Sequence, residues 1–515
     1  MHYNHCALRL AGLGLVAACC LAISPLPAFS QALKLPFVFS DHAVLQRDMA
    51  VPVWGNAAPD ATVTVTFADQ SKTATADHKG EWSLKLEPLA ASAQGRDLVA
   101  SSGQSTYTAH DVLVGEVWFC SGQSNMEKPV GAQSGQRPTV DAENAIKAAD
   151  HPTIRFLVIP KSGDPKIIDQ SAWTACTPKT IDAPGKKPSA VGYFFGLEIQ
   201  SKLNVPIGLI NDYWGGTRIE PWTTPDALDA SPALASFAKV AHARLEHPTT
   251  RGVNTAPSGL YEAMVRPIVP FAIRGALWYQ GENNVMVRDR GAYANKMVAL
   301  VTGWRAAWAE RDFPFYYVQL APYLYSHRAA DHLSDEELPC VWEAQLKAMS
   351  LIPNSGMAVI TDLVDRLADI HPTRKKEVGQ RLALWALAKT YGQSDIVYSG
   401  PLYSSSEFQG DHAILHFTQI GTGLASRDGK PLTDFILAGE DGIFHPATAE
   451  IEKDTIVLTS DDVISPRYAR FAWSERATPN FMNKEGLPAS PFRTDQLPIP
   501  PSPTSQPAAA TKPAT

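Results

Sequence analysis

The sequence predicts an α/β fold, a three-layer α/β/α domain flanked by an amino-terminal and a carboxy-terminal β-rich region. Two patterns predict it. Across residues 111–395, short apolar runs at 112–119, 207–210, 273–279, 315–320 and 357–361 are separated by amphipathic stretches at helical spacing, as parallel strands joined by crossover helices require. On both sides, at 31–110 and 396–497, apolar residues recur every second position between Pro, Gly and Asp punctuation, as in antiparallel strands.

The chain has 515 residues, is 45% apolar and carries a net charge of −7. That length supports a large core and more than one domain. No long block of Lys or Arg is present, which argues against nucleic acid or an anionic membrane surface as partner. Residues 1–30 read as a targeting segment: Arg9 ends a polar start, 10–23 are apolar, and Ala28 and Ser30 suit cleavage before Gln31. The competing reading is a lipoprotein site ending at Cys19. No later window has the roughly 18 apolar residues of a membrane span, so a periplasmic or secreted protein is expected. Beyond the segment only Cys120, Cys176 and Cys340 remain, too few for a disulfide framework although one pair would be compatible with an oxidising compartment.

In the amino-terminal region, 62–67 and 82–86 alternate cleanly. Within the α/β region, Tyr293, Met297, Leu300, Val301, Trp304 and Trp308 share one helical face, and Val378, Leu382, Trp385 and Ala386 form the buried stripe of a helix after Pro372. Alternation returns at 413–417, 435–438, 455–459 and 468–473. The tail at 498–515 is Pro, Ala, Ser and Thr with little charge, a composition expected to be disordered.

Ligands of parallel α/β sheets sit beyond the carboxyl ends of the strands. Four of the five apolar runs are followed by polar or glycine residues suited to meet there: 121–125, 211–217, 280–283, and Asp362 with a loop ending at His371. Ser124 stands where the run 112–119 breaks into a small polar turn. A serine hydroxyl attacks an acyl carbon only with a base to take its proton. His371 is the candidate base, because imidazole exchanges protons near neutrality. Asp369 ranks first as the acid that orients it and Glu282 second, with a Ser-His dyad as a third arrangement. The backbone amide of Ser124, an amide of Gly215 or Gly216, and the side-chain amide of Gln280 are candidate donors to an oxyanion. Cys120 reads as packing.

GQSNM at 122–126, YWGGTRIEPW at 213–222, WYQGEN at 278–283 and DIHP at 369–372 resemble the blocks of the sialate O-acetylesterase family, within the SGNH hydrolase superfamily. LPFVFSDHAVLQRDMAVPVWG at 35–55 and NKEGLPASPFRTD at 483–495 extend the resemblance over nearly the whole chain. It implies an SGNH-type hydrolase domain with Ser124 as nucleophile, His371 as base, and Gly215 or Gly216 with Gln280 at the oxyanion. Two departures bear on the acid and the donors. Ala368 stands three residues before the histidine, where the superfamily has an acid, and Gln280 stands where it has Asn. Met126 in place of a glycine also breaks the G-x-S-x-G elbow of ordinary α/β-hydrolases.

The resemblance implies an O-acetylated carbohydrate as substrate, sialic acid or an acetylated plant polysaccharide or oligosaccharide, cleaved through an acetyl-enzyme. Gln123, Asn125, Arg218 and Trp214 are the candidate substrate contacts, with a structural ion pair to Glu220 as the other role for Arg218, and Trp222 is a further ring suited to a sugar. No cofactor is implied, and the absence of H-E-x-x-H weighs against a metal-dependent deacetylase. A non-catalytic carbohydrate-binding protein on the same scaffold is the alternative.

Overall fold

The computed structural model describes residues 32–185, 187–309, 312–327 and 333–496. The expected targeting segment and the expected disordered tail lie outside them. The central sheet follows from the apolar runs, each of which is a strand. With two further strands that no such run marks, the sheet holds in chain order β1 (Ser105–Gly122), β2 (His151–Val158), β3 (Trp173–Cys176), β4 (Ile207–Tyr213), β5 (Gly275–Tyr279), β6 (Phe315–Val318) and β7 (Ser355–Ala358). Their spatial order is β7-β6-β5-β1-β4-β2-β3. All neighbours are parallel except β2 and β3. The chain builds outward on one side of β1 and then crosses to the other, which opens the crevice at its carboxyl end where ligands bind.

Side chains alternate across the sheet, and the two faces are covered differently. Phe119 packs on Trp304 and Trp308, whereas Trp118 packs on Phe195. Trp304 belongs to the helix Ala292–Ala307, with Tyr293, Met297, Leu300 and Val301 all buried along the stripe expected from the sequence. Phe195 belongs to the helix Ala190–Leu203, which lies against the helix Lys375–Trp385 on the other face. Cys120 of β1 is buried against Gly192 of the helix Ala190–Leu203, and Cys120, Cys176 and Cys340 are all free thiols.

The amino-terminal strands do not form a sheet of their own throughout. β1 is 18 residues long. Its first part pairs antiparallel with Ser92–Ser102, and its last part, from Glu116 onward, runs between β4 and β5. The texture change read near 111 is therefore a change of hydrogen-bonding partner along one continuous strand. Mid-strand Glu116 is fully buried there, held by Arg47 at 2.5 Å and Arg274 at 2.7 Å. Two cations and the amide of Gln46 satisfy a carboxylate whose burial alone would be costly.

The carboxy-terminal region has two four-stranded antiparallel sheets among the described residues, closed around Leu415, Leu437, Phe471, Phe481 and Phe492. Arg493 to Glu343 at 2.8 Å and Arg470 to Glu336 at 3.1 Å fasten it to the α/β region. Among the described residues no helix is long and apolar enough to cross a membrane.

At the end of β1, Gly122 has φ +142°, and a Cβ there would lie 2.2 Å from the carbonyl oxygen of Tyr279. Gly122→Ala is expected to destabilise the fold by about 3 kcal/mol or more, combining backbone strain with a clash against main chain. Urea denaturation of the purified variant checks this; an unchanged midpoint would contradict it.

Candidate active site

Ser124 opens a four-residue helix, Ser124–Glu127, directly after β1. As the first helical residue, it has no intrahelical partner for its N–H. The preceding Gln123 fixes the turn. Its N–H donates to Tyr279 O at 3.0 Å, and its Oε1 accepts from Gln280 Nε2 at 3.1 Å and from the N–H groups of Gly281 and Asn283 at 3.4 Å. The turn after β1 is thereby stapled to the turn after β5. Gln123 is 3% exposed, so this expected substrate contact is instead part of the scaffold.

The turn after β4 lies alongside. A Cβ on Gly215 would sit 3.2 Å from Ser124 Cβ, so a bare backbone is what lets the two turns meet. The N–H of Gly215 donates to Glu127 Oε2 at 2.7 Å. Gly216 is exposed with φ +75°, and among the described residues its N–H makes no hydrogen bond. Its carbonyl accepts from Asn283 Nδ2 at 2.6 Å.

Gln280 is fully buried. Its Nε2 faces Asn284 Oδ1 at 2.7 Å, Thr217 O at 3.0 Å and Gln123 Oε1, while Tyr293 donates to its Oε1 at 2.8 Å. Two N–H groups already facing three acceptors leave nothing for a ligand. Half-buried Asn283, in the segment 280–283 expected at the site but with no role of its own there, places a side-chain amide at the edge of the site instead. Beneath these turns Lys296 reaches Glu220 at 2.5 Å and Asp289 at 2.6 Å, all three buried. Glu220 thus has Lys296 as its direct partner, and the charge of Arg218 acts on it without contact. Arg218 is half-buried, with no hydrogen bond or ion pair among the described residues. Trp222 is buried and donates to Thr217, and Trp214 is half-buried against the core.

His371 is delivered by the loop after β7. Asn125, the neighbour of Ser124, donates from Nδ2 to the carbonyl of Ile370, the neighbour of His371, at 2.9 Å. The two loops, far apart in sequence, are thereby joined one residue from each candidate catalytic group. Neither candidate acid hydrogen-bonds the imidazole. Asp369 accepts the backbone N–H of His371 at 2.9 Å on one oxygen, and Arg137 binds the other at 2.9 and 3.1 Å. Burial opposes ionisation of Asp369, but these donors outweigh it and hold its pKa below the usual carboxylate range. Glu282 accepts from Asn125 Nδ2 at 2.5 Å, and burial raises its pKa. Asp362, also in this loop, is clamped by Arg381 at 2.7 Å.

Burial, then the charges of Lys375 and Lys128, bring the imidazole of His371 down to about 4, against the opposing pull of Asp369 and Glu127. It is therefore neutral at physiological pH, able to accept a proton. Beside the site a cavity of about 360 Å³ opens, lined by Glu127, Gln133, Lys161, Lys187 and Tyr213 among others. Lys161 reaches Glu127 Oε1 at 2.5 Å. Among the described residues no group of His, Cys, Asp and Glu side chains is placed to hold a metal ion.

Residues 114–388 match the family model for carbohydrate esterase, sialic acid-specific acetylesterase. Sialate O-acetylesterase of Homo sapiens is 29% identical over 89% of this chain and 92% of its own length. That of Rattus norvegicus is 30% identical over 73% and 77%. Among solved structures, a carbohydrate acetylesterase from Xanthomonas citri is 36% identical with a TM-score of 0.79, covering 90% of this chain and all of that one. Fold and relatives together define a carboxylic ester hydrolase. The chain belongs to the sialic acid-specific acetylesterase family of carbohydrate esterases.

The charges around His371 lead to a direct measurement. Followed by NMR, its ring protons are expected to titrate near pH 4 in the folded protein; a midpoint near the ordinary 6.5 would contradict the burial and charge balance described.

Proposed function

We propose that the protein removes O-acetyl groups from a carbohydrate by a serine mechanism with an acetyl-enzyme intermediate. The observation that carries this reading is the Asn125 to Ile370 hydrogen bond, which joins the Ser124 turn to the His371 loop. Ser124 Oγ attacks the acetyl carbonyl carbon as its proton passes to His371. The tetrahedral oxyanion is met by the N–H groups of Ser124 and Gly216, with Asn283 taking the side-chain role that the sequence suggested for Gln280. Collapse breaks the ester bond, and the sugar oxygen leaves with the proton from His371. Water then attacks the acetyl carbon, passing its proton to the imidazole, and acetate departs as Ser124 is reprotonated. Asp369 is the acid of this site, acting by its negative charge and by holding the main chain of His371. Glu282, bound to Asn125, does not fill that place.

The acetylated sugar occupies the cavity beside Glu127, where Lys161, Lys187 and Gln133 offer donors to hydroxyl or carboxylate oxygens and the ring of Tyr213 adds an apolar wall. O-acetylated sialic acid and acetylated plant glycans both fit this reading. Export to the periplasm or medium belongs with it.

Ser124→Ala is expected to fold normally and to lose at least about 10³-fold in hydrolysis of 4-nitrophenyl acetate; activity near wild type overturns the mechanism. Lys161→Ala is expected to raise KM for the best substrate in a panel of acetylated glycans about tenfold, the worth of one charge-assisted hydrogen bond, without an equal rise for 4-nitrophenyl acetate. Equal effects on both would remove the sugar from this cavity.

A further inference from the structure

Lys375 lies in none of the motifs, yet its whole side chain is buried at the centre of the site. It begins the helix Lys375–Trp385, four residues after His371. Its Nζ donates to Asn125 Oδ1 at 2.6 Å and stands 4.8 Å from the centre of the Tyr279 ring. The other end of the Asn125 amide donates to Glu282 at 2.5 Å and to Ile370 O at 2.9 Å. Asn125 is 1% exposed and Glu282 3%, so no part of this cluster is bathed by solvent.

The amide of Asn125 has two donors and one acceptor, and all are engaged. Its orientation has one solution. Turning the amide over would aim its NH₂ at the ammonium of Lys375 and its oxygen at the carboxylate of Glu282, two repulsive contacts in a dry interior where electrostatics are strong. A neutral side chain is thus held between a buried lysine and a buried carboxyl group, and the bond that depends on that orientation is the one to Ile370. Ile370 precedes His371, and Asn125 follows Ser124, so the clamp sets the distance between the two residues that exchange a proton.

We propose that Lys375 is a positioning residue for the ester hydrolysis. Acting through Asn125 and against Glu282, it holds the His371 loop in register with Ser124. This rests on the serine mechanism proposed above. Lys375 touches no reacting atom. Removing its ammonium frees the Asn125 amide to rotate, the Ile370 bond is lost, and the imidazole drifts from the hydroxyl it serves. A displacement of about 1 Å between reacting groups costs on the order of 10²-fold in rate.

The test compares Lys375→Met, which keeps the length of the stem and removes the charge, with wild type and with Lys376→Met, a control at the neighbouring exposed lysine. Each is assayed with 4-nitrophenyl acetate and labelled with a fluorophosphonate, which reads activation of the serine without the need for a sugar. Lys375→Met is expected to lower kcat and the labelling rate together by about 10²-fold, with KM within about twofold, while Lys376→Met behaves as wild type. A folded Lys375→Met with kcat and labelling within twofold of wild type overturns the proposal, as does a rise in KM alone. If Lys375→Met does not fold, Asn125→Ser is measured in the same way, with loss of kcat and labelling expected and their retention overturning it. Wild-type protein that neither labels nor hydrolyses would instead refute the serine mechanism, so the two failures are told apart.

Discussion

The contact between the end of β1 and the end of β5 is the constraint on which the site depends. Gly122 lets the two strands approach, and Gln123 fastens them through Tyr279 O and through three donors gathered on its side-chain oxygen. Ser124 inherits its position from that staple. So does Asn283, whose N–H is among the three donors and whose side chain reaches Gly216. A strand end in a parallel sheet has backbone groups with no ladder partner, and here side-chain amides supply them. The polar residues crowded around the serine are mostly structural for this reason. They are buried, and a buried polar group must be paired or it destabilises the fold.

A second layer of organisation is electrostatic. Four charged groups act on His371, with Lys375 and Lys128 opposing its protonation and Asp369 and Glu127 favouring it, and burial tips the balance toward the neutral ring. Burial weakens the cations as well, bringing Lys375 to about 7 and Lys128 to about 8. Lys128 keeps its place by donating to the carbonyl of Arg137, and Arg137 in turn holds Asp369 and lies near Asp365. The charges are thus arranged as a linked set rather than as independent pairs. A change in one alters what the others do to the imidazole.

The amino-terminal region also bears on the site. Because β1 continues from the antiparallel strands into the central sheet, the strand that carries Ser124 is anchored at its far end by Glu116 with Arg47 and Arg274. The carboxy-terminal sheets keep their own core and meet the α/β region through ion pairs and hydrogen bonds, such as Glu475 with Ser326. The first region is continuous with the catalytic sheet, and the second is docked against it.

Local pattern was enough to read the five parallel strands, the two amphipathic helices and the residues that would lie at the sheet's carboxyl edge. Hydrophobic periodicity reports burial, and burial in a parallel sheet leaves a run of apolar residues that ends where the polar site begins. The strands at His151–Val158 and Trp173–Cys176 carry no such signal, since the first mixes charged and apolar residues and the second is only four residues long. The chain alone also placed Ser124 and His371 among the reactive candidates, because their chemistry is intrinsic to the side chains. It had no means of telling which polar neighbours face a ligand and which face each other. Gln123, Asn125, Gln280 and Glu282 look alike in a motif, yet each is spent on a partner more than 60 residues away in sequence. Hydrogen bonds consume donors and acceptors only once three-dimensional packing has chosen the pairs. For that reason the tertiary structure alone decided that Glu282 serves Asn125, that Asp369 holds main chain, and that a lysine outside every motif lies under the site.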